Sequence, residues 1–230
     1  MIKIPFSFNI IVVVLMIFGT VACKNTDSAQ VISSSEDKTH LEEIYWARVD
    51  SARMAFTDAD VDFMNGMIGH HAQALIMSEL APVNGADPVI QTLAARIINA
   101  QKDEIETMQQ WLRDRGQPVP EIHIDGLNLM IHGEGSHHSG HMNMPGMLSQ
   151  DQLEELGNAQ GSDFDRLFLT YMIEHHQGAV IMVKNLFSTD GAATEEEAFR
   201  LASDIQVDQI TEIERMKLML SEYSDPEKEL

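Results

Sequence analysis

Two stretches of this chain set adjacent histidines among methionines. FMNGMIGHHAQALIM runs from Phe63 to Met77, and FLTYMIEHHQGAVIM runs from Phe168 to Met182, at a constant offset. Imidazole nitrogen and thioether sulfur are ligands for soft and borderline cations. Thioether suits Cu(I), and imidazole suits copper in either oxidation state. Packing asks for apolar residues and gives no reason for two adjacent histidines at the same place twice. The repeat therefore points to a site as well as a core.

A helix carries each copy. At about 100° per residue, Phe63, Met67, His70, Ala74 and Met77 share one stripe, and Met64, Ile68, His71 and Leu75 share its neighbour. The two histidines of a pair point about 100° apart, so they need not serve one ion. The helix after each pair also repeats. LAARIINAQKDEIETMQQWL (Leu93 to Leu112) aligns with LASDIQVDQITEIERMKLML (Leu201 to Leu220). Glu104 and Glu212 fall on the apolar stripes of these second helices. An ionised carboxylate there is costly unless partnered, and a histidine from the paired helix or a metal could partner it. Gln101 and Gln209, one turn earlier, could hydrogen-bond the same group. Two readings stand side by side. Either His and Met, with or without Glu, hold a soft cation, or the polar groups form a satisfied buried network and the methionines fill space.

Between the repeats, Ile122 to Met147 reads IHIDGLNLMIHGEGSHHSGHMNMPGM and holds half of the histidines. Glycine and serine make it read as a flexible loop over 121–147 with little to bury. Core packing cannot explain methionines there. His137, His138, His141, Met142, Met144 and Met147 alternate imidazole and thioether at spacings a flexible backbone can close around one ion. That set suits Cu(I) or Ag(I) rather than Mg²⁺ or Ca²⁺. Imidazole sites should lose metal as histidine protonates below about pH 6.5, whereas thioether does not titrate there.

The elements that position these residues follow from caps and breakers. Repeat one spans 57–116. Its first helix starts near Thr57, with Asp58 and Asp60 in the first turn, and ends near Pro82 before an Asn84-Gly85 turn. Asp87-Pro88 opens the second helix, and Gly116 and Pro118 stop it near Arg115. Repeat two spans 149–223. Ser149 and Gln152 form a capping box for a short lead helix. Asp163 is expected to cap the helix of the second His-His pair, and Thr194 with Glu197 the last helix. Two copies of a helical hairpin can bury their faces on each other. The fold class is all-α, a four-helix bundle with internal pseudo-twofold symmetry, over residues 41–223.

The N-terminus reads as a processing segment. Lys3 precedes the apolar run Ile10 to Phe18, which is too short to span a bilayer comfortably. Residues 1–22 read as a signal peptide of lipoprotein type, with Cys23 lipidated. The alternative is a plain signal peptide and a free thiol. Residues 23–40 are polar and serine-rich and read as a tether, and Tyr45 and Trp46 are expected to pack on the domain. One cysteine excludes an intramolecular disulfide and thiolate metal sites. The 190 residues that follow the tether are enough to bury a core without them. The net charge of −21, from 36 acidic and 15 basic residues, repels nucleic acid and anionic lipid and attracts cations.

The paired motifs FMNGMIGHH and FLTYMIEHH, the MPGM before the second copy, and the following Gln-x-x-Glu-Ile-x-x-Met helices resemble the bacterial "domain of unknown function 305" family over about Ala55 to Ser221. The resemblance implies a secreted or periplasmic protein with a ferritin-like bundle. In some members it implies copper binding and resistance through Met and His. At matching positions it implicates Met67, His70, His71, Met77, Met172, His175, His176 and Met182, with Met144 and Met147 in the preceding motif. The copies are not identical: Met64 faces Leu169 in the alignment, and Gly69 faces Glu174.

The function expected first is a periplasmic or cell-surface copper-binding protein, lipid-anchored, for sequestration, delivery or resistance. It would take Cu(I), and also Cu(II) or Ag(I), with a metal-transfer protein as a partner and no nucleic acid. A ferritin-like di-metal oxidase is the second reading. It is weakened because no helix carries Glu-x-x-His and each repeat offers one inward Glu. A metal-free envelope interaction domain with structural histidines is the third. No nucleophile constellation or phosphate-binding glycine loop argues for hydrolase or transferase chemistry.

Overall fold

The computed structural model describes residues 27–133 and 144–223, with side chains from residue 37 onward. His137, His138, His141, Met142 and Cys23 lie outside the described residues. Six helices and one antiparallel two-stranded ribbon are present among those described: α1 Asp27–Arg53, α2 Asp58–Glu79, α3 Pro88–Asp114, β1 Glu121–Asp125, β2 Asn128–His132, α4 Gln150–Asn158, α5 Gly161–Phe187 and α6 Glu196–Tyr223. The chain divides into two compact units, Met1–Trp46 and Ala47–Leu230. None of the helices is long and apolar enough to cross a membrane, among the described residues.

In the first unit, the stretch expected as a tether is helical from Asp27. Missing apolar periodicity does not exclude a helix. Tyr45 and Trp46 are exposed and meet each other edge to face.

The second unit is the bundle. In each hairpin an inner helix packs along an outer one, α2 on α3 and α5 on α6. The hairpins meet along α2 and α5, while α3 and α6 barely touch. Thr57 caps α2 in a full capping box with Asp60, and Asp87 with Pro88 opens α3. Ser149 and Gln152 box the start of α4 as expected. Two caps differ from expectation. Helix α5 starts at Gly161, so Asp163 lies inside its first turn and no side chain caps it. At α6 the Glu195 carboxylate, not Thr194, accepts from the Glu197 and Ala198 N–H groups. Glu195 is buried, takes a hydrogen bond from Trp111 Nε1 and pairs with Arg115. Those contacts across the bundle decide which residue caps.

Two buried aspartates at equivalent repeat positions tie the hairpins together. Asp60 Oδ1 accepts from the Ala193 N–H at 2.7 Å. Asp165 accepts from the Asp87 N–H at 3.1 Å. Each carboxylate, near the start of an inner helix, thus closes the interhelical turn of the other hairpin.

The stretch 121–147, expected as a flexible loop, begins with the ribbon. Ile122 and Ile124 of β1 and Leu129 of β2 lean on the core. Gly126 takes φ 59° in the turn. The segment Met144-Pro145-Gly146-Met147 then wedges against both inner helices. A Cβ at Gly178 would stand 1.9 Å from the Pro145 carbonyl oxygen, and one at Gly146 would stand 2.5 Å from the Glu174 carbonyl oxygen. Only glycine lets backbone approach backbone this closely. The amide of Gln73 fixes the end of the wedge, accepting from the Leu148 N–H at 2.8 Å and donating to its carbonyl at 3.0 Å.

Gly178→Ala must lift the wedge or part the helices. The expected loss is about 1–3 kcal/mol in urea unfolding; unaltered stability would show that the wedge is not seated as described.

Candidate metal centre

The four paired histidines are fully buried. Within each pair the rings diverge, with centroids 6.4 Å apart for His70 and His71 and 6.3 Å for His175 and His176. This is the divergence that helical spacing dictates, and it sorts the histidines into two kinds.

His71 and His176 face their own hairpin's outer helix. His71 Nε2 lies 2.7 Å from Glu104 Oε2, and His176 Nε2 lies 2.7 Å from Glu212 Oε2. The second contact is a hydrogen bond. The first has the distance but not the direction of one, which leaves both atoms unsatisfied. The carboxylates expected to need partners thus find them within each hairpin. The glutamines do not join in. Gln101 makes no side-chain hydrogen bond, and the oxygen of Gln209 lacks one.

His70 and His175 face each other across the hairpin interface, with ring centroids 3.9 Å apart at an interplanar angle of 38°. His70 Nε2 lies 3.0 Å from the Pro145 carbonyl oxygen. A carbonyl only accepts, so this contact assigns the proton to Nε2 and leaves the Nδ1 lone pair free. Among the described residues that Nδ1 has no partner, and neither ring nitrogen of His175 has one. The His70 backbone near His175 lies outside hydrogen-bond geometry. Burial lowers the pKa of His70 to about 3, with the neighbouring His71 adding to the shift. Burial, and then His70, hold His175 well below its ordinary value. Both are neutral imidazoles across the physiological range, the form that ligates metal. Loss of metal below pH 6.5, expected of any imidazole site, therefore does not apply to this pair.

The methionines take distinct places. A Cβ on Gly66, one turn before His70, would stand 3.3 Å from both the Met144 sulfur and the Met182 Cε. These two side chains thus gather over the same turn of α2. Met67, Met77 and Met172 are fully buried. Met67 shares an apolar cluster with Met64 and Met108, with Met182 at its margin, while Met77 and Met172 share the other cluster with Met216. Thioethers from both inner helices therefore lie in both apolar clusters. Met147 stands apart, in the wall of a cavity of about 500 Å³ beside β2 and Leu148.

Among the described residues, no three His, Cys, Asp or Glu side chains are grouped to hold an ion. The side chains of Met144 and Met182 gather one helical turn before His70. Pattern reading missed Gly66, Gln73, Pro145 and Gly178, which seat the wedge. A buried glutamine within the first motif and two glycines on apolar faces were the available signals.

Fold and site define a pseudo-twofold all-α bundle with a buried imidazole pair at its waist. Residues 60–220 match the family model described as domain of unknown function (DUF305). The chain belongs to the DUF305 family. Its fold is similar to that of a DUF305 fragment from Deinococcus radiodurans, at 30% identity and TM-score 0.59, covering 73% of this chain and 98% of the other. A DUF305 protein from Streptomyces coelicolor, described as secreted, is 28% identical at TM-score 0.59, over 72% of this chain and 94% of the other. CopM in its Cu(I)-bound form is 30% identical at TM-score 0.52, over 72% and 98% of the two chains, and it also has Cu(II)-bound and Ag-bound forms. An uncharacterised protein, L153, of Acanthamoeba polyphaga mimivirus is 43% identical over 61 residues, which is 26% of this chain and 40% of that relative's length.

The neutral histidines make stability depend on pH. The unfolded chain takes up a proton near pH 6.5 at each position, whereas folded His70 does so only near pH 3. Acid in that window favours the unfolded state, by about 1.4 kcal/mol per pH unit for each such histidine, and above pH 6.5 the effect vanishes. In urea unfolding at pH 7.5 and 5.0, His175→Leu is expected to lose less stability on acidification than the wild type. Equal losses would mean that His175 is not held neutral.

Proposed function

We propose that this protein binds copper as cargo, taking Cu(I) and its soft analogue Ag(I) between the two hairpins, for sequestration, delivery or resistance outside the cytoplasm. One observation carries the reading: among the described residues three ring nitrogens of the neutral His70 and His175 are buried and unpartnered, one lone pair being available on each ring, one turn from where Met144 and Met182 gather. Left empty, such a cluster would cost the free energy of unmade hydrogen bonds. Imidazole and thioether are the donor types that copper(I) takes. Met67, Met77 and Met172 lie in the flanking clusters and complete a soft surround. The copper-bound and silver-bound forms of CopM support the same reading.

His71 with Glu104 and His176 with Glu212 hold the inner helices to the outer ones and orient the adjacent histidines. Their role in this reading is positioning, and the metal-free interpretation of the histidines is retained for these two. His137, His138, His141 and Met142, together with Met147, form a capture segment on the strength of their composition. The carboxylate-rich site of a di-metal oxidase finds no support in the convergence of imidazole with thioether. Export, with lipid attachment at Cys23, rests on the N-terminal sequence, and export on the secreted description of the S. coelicolor relative as well. A protein that accepts the metal is the partner this role requires.

Titration with Cu(I) against a chromogenic chelator tests the proposal. His70→Ala with His175→Ala should weaken binding by at least about tenfold. Met144→Leu with Met182→Leu should weaken Cu(I) and Ag(I) more than Cu(II). Wild-type affinity at this site should stay level from pH 7.5 to 5. Full affinity in the double histidine variant would move copper elsewhere and leave the imidazole pair structural.

A further inference from the structure

The β1–β2 ribbon carries a second donor set, away from the bundle interior. Its register pairs His123 with Met130 and Glu121 with His132. Burial alternates along both strands, so Glu121, His123, Met130 and His132 all fall on the exposed face. Directly opposite residues have Cβ atoms about 5 Å apart, and diagonal neighbours stand about 7–8 Å apart. Met130 and His132 are two residues apart on one strand, with His123 and Glu121 facing them on the other. Two imidazoles, a thioether and a carboxylate therefore occupy the four corners of a small rectangle.

The backbone holds this rectangle while the side chains remain free to turn. Ile122, Ile124 and Leu129 on the other face lean on the core, which fixes the ribbon's orientation. Among the described residues the imidazoles and carboxylate are not grouped around a point. An exposed side chain can change rotamer at little cost, whereas a wrong register could not be repaired so easily.

We propose that the exposed face of the ribbon is a metal site for a borderline divalent cation, with His123 and His132 as principal ligands and Met130 and Glu121 as supporting ones. Imidazole suits copper and zinc, and the carboxylate opposite His132 favours a divalent over a monovalent ion. The site lies on solvent-facing residues and does not depend on what the buried histidine pair binds.

The test uses the full chain with His137, His138 and His141 replaced by asparagine, so that they do not compete, and Cu(II) as the probe. Calorimetric titration gives the affinity, and electron paramagnetic resonance gives the nitrogen couplings. The expected result is a bound Cu(II) showing coupling to two imidazole nitrogens. His123→Asn or His132→Asn should weaken it by at least about tenfold, and His70→Ala with His175→Ala should leave it in place. All four positions can be checked for folding by circular dichroism. No Cu(II) binding by the loop-substituted chain would overturn the proposal. So would binding indifferent to His123 and His132, or binding abolished by the bundle variant. Because Cu(I) competition at the bundle is measured separately, failure of one site is distinguishable from failure of the other.

Discussion

The structure is organised around the burial of polar side chains where α2 crosses α5. Four imidazoles lie on these two helices without access to water, and two of them, His70 and His175, meet where the helices cross. A charged imidazole there would carry a large desolvation cost, so His70 and His175 stay neutral. A neutral imidazole still needs something for its nitrogens. Glu104 and Glu212 on the outer helices lie beside His71 and His176, each at 2.7 Å. With those two histidines turned toward the outer helices, the helical spacing of about 100° per residue turns His70 and His175 toward each other.

The two repeats diverge where one loop must meet two related helices. Gly66 aligns with Tyr171, and Gln73 aligns with Gly178. Gly66 leaves room for Met144 and Met182, Gln73 clamps Leu148, and Gly178 admits the Pro145 carbonyl. Tyr171 instead donates its hydroxyl to Glu155 of α4. A single wedge cannot obey a twofold axis. The symmetry-related positions had to differ, and so did the surroundings of His70 and His175.

Much of the bundle was legible in the sequence because it rests on local chemistry. Asp87-Pro88 and Ser149 with Gln152 cap helices through contacts a few residues long, and the aligned second helices declared the duplication. The ribbon was also legible in principle, since Ile122, Ile124, Leu129 and Ile131 alternate around an Asp-Gly turn. The histidines drew that stretch into a different reading. The cap on α6 was not legible, because Glu195 is held by Trp111 and Arg115 from the other hairpin. The helical spacing separated the roles of adjacent histidines, and the Glu partners followed from the cost of burying a charge. The wedge did not follow from any pattern. Pro145 meets His70 through space, and no periodicity encodes a carbonyl placed there.

The crossed aspartates bear on how the molecule comes apart. Asp60 needs the turn before α6, and Asp165 needs the turn before α3. If one hairpin frayed by itself, it would strand a buried carboxylate in the hairpin left behind, and that hairpin would lose its own lock at the same moment. Such reciprocity disfavours half-unfolded species. The two copies of a duplicated unit are thereby expected to unfold together, each holding a contact the other needs.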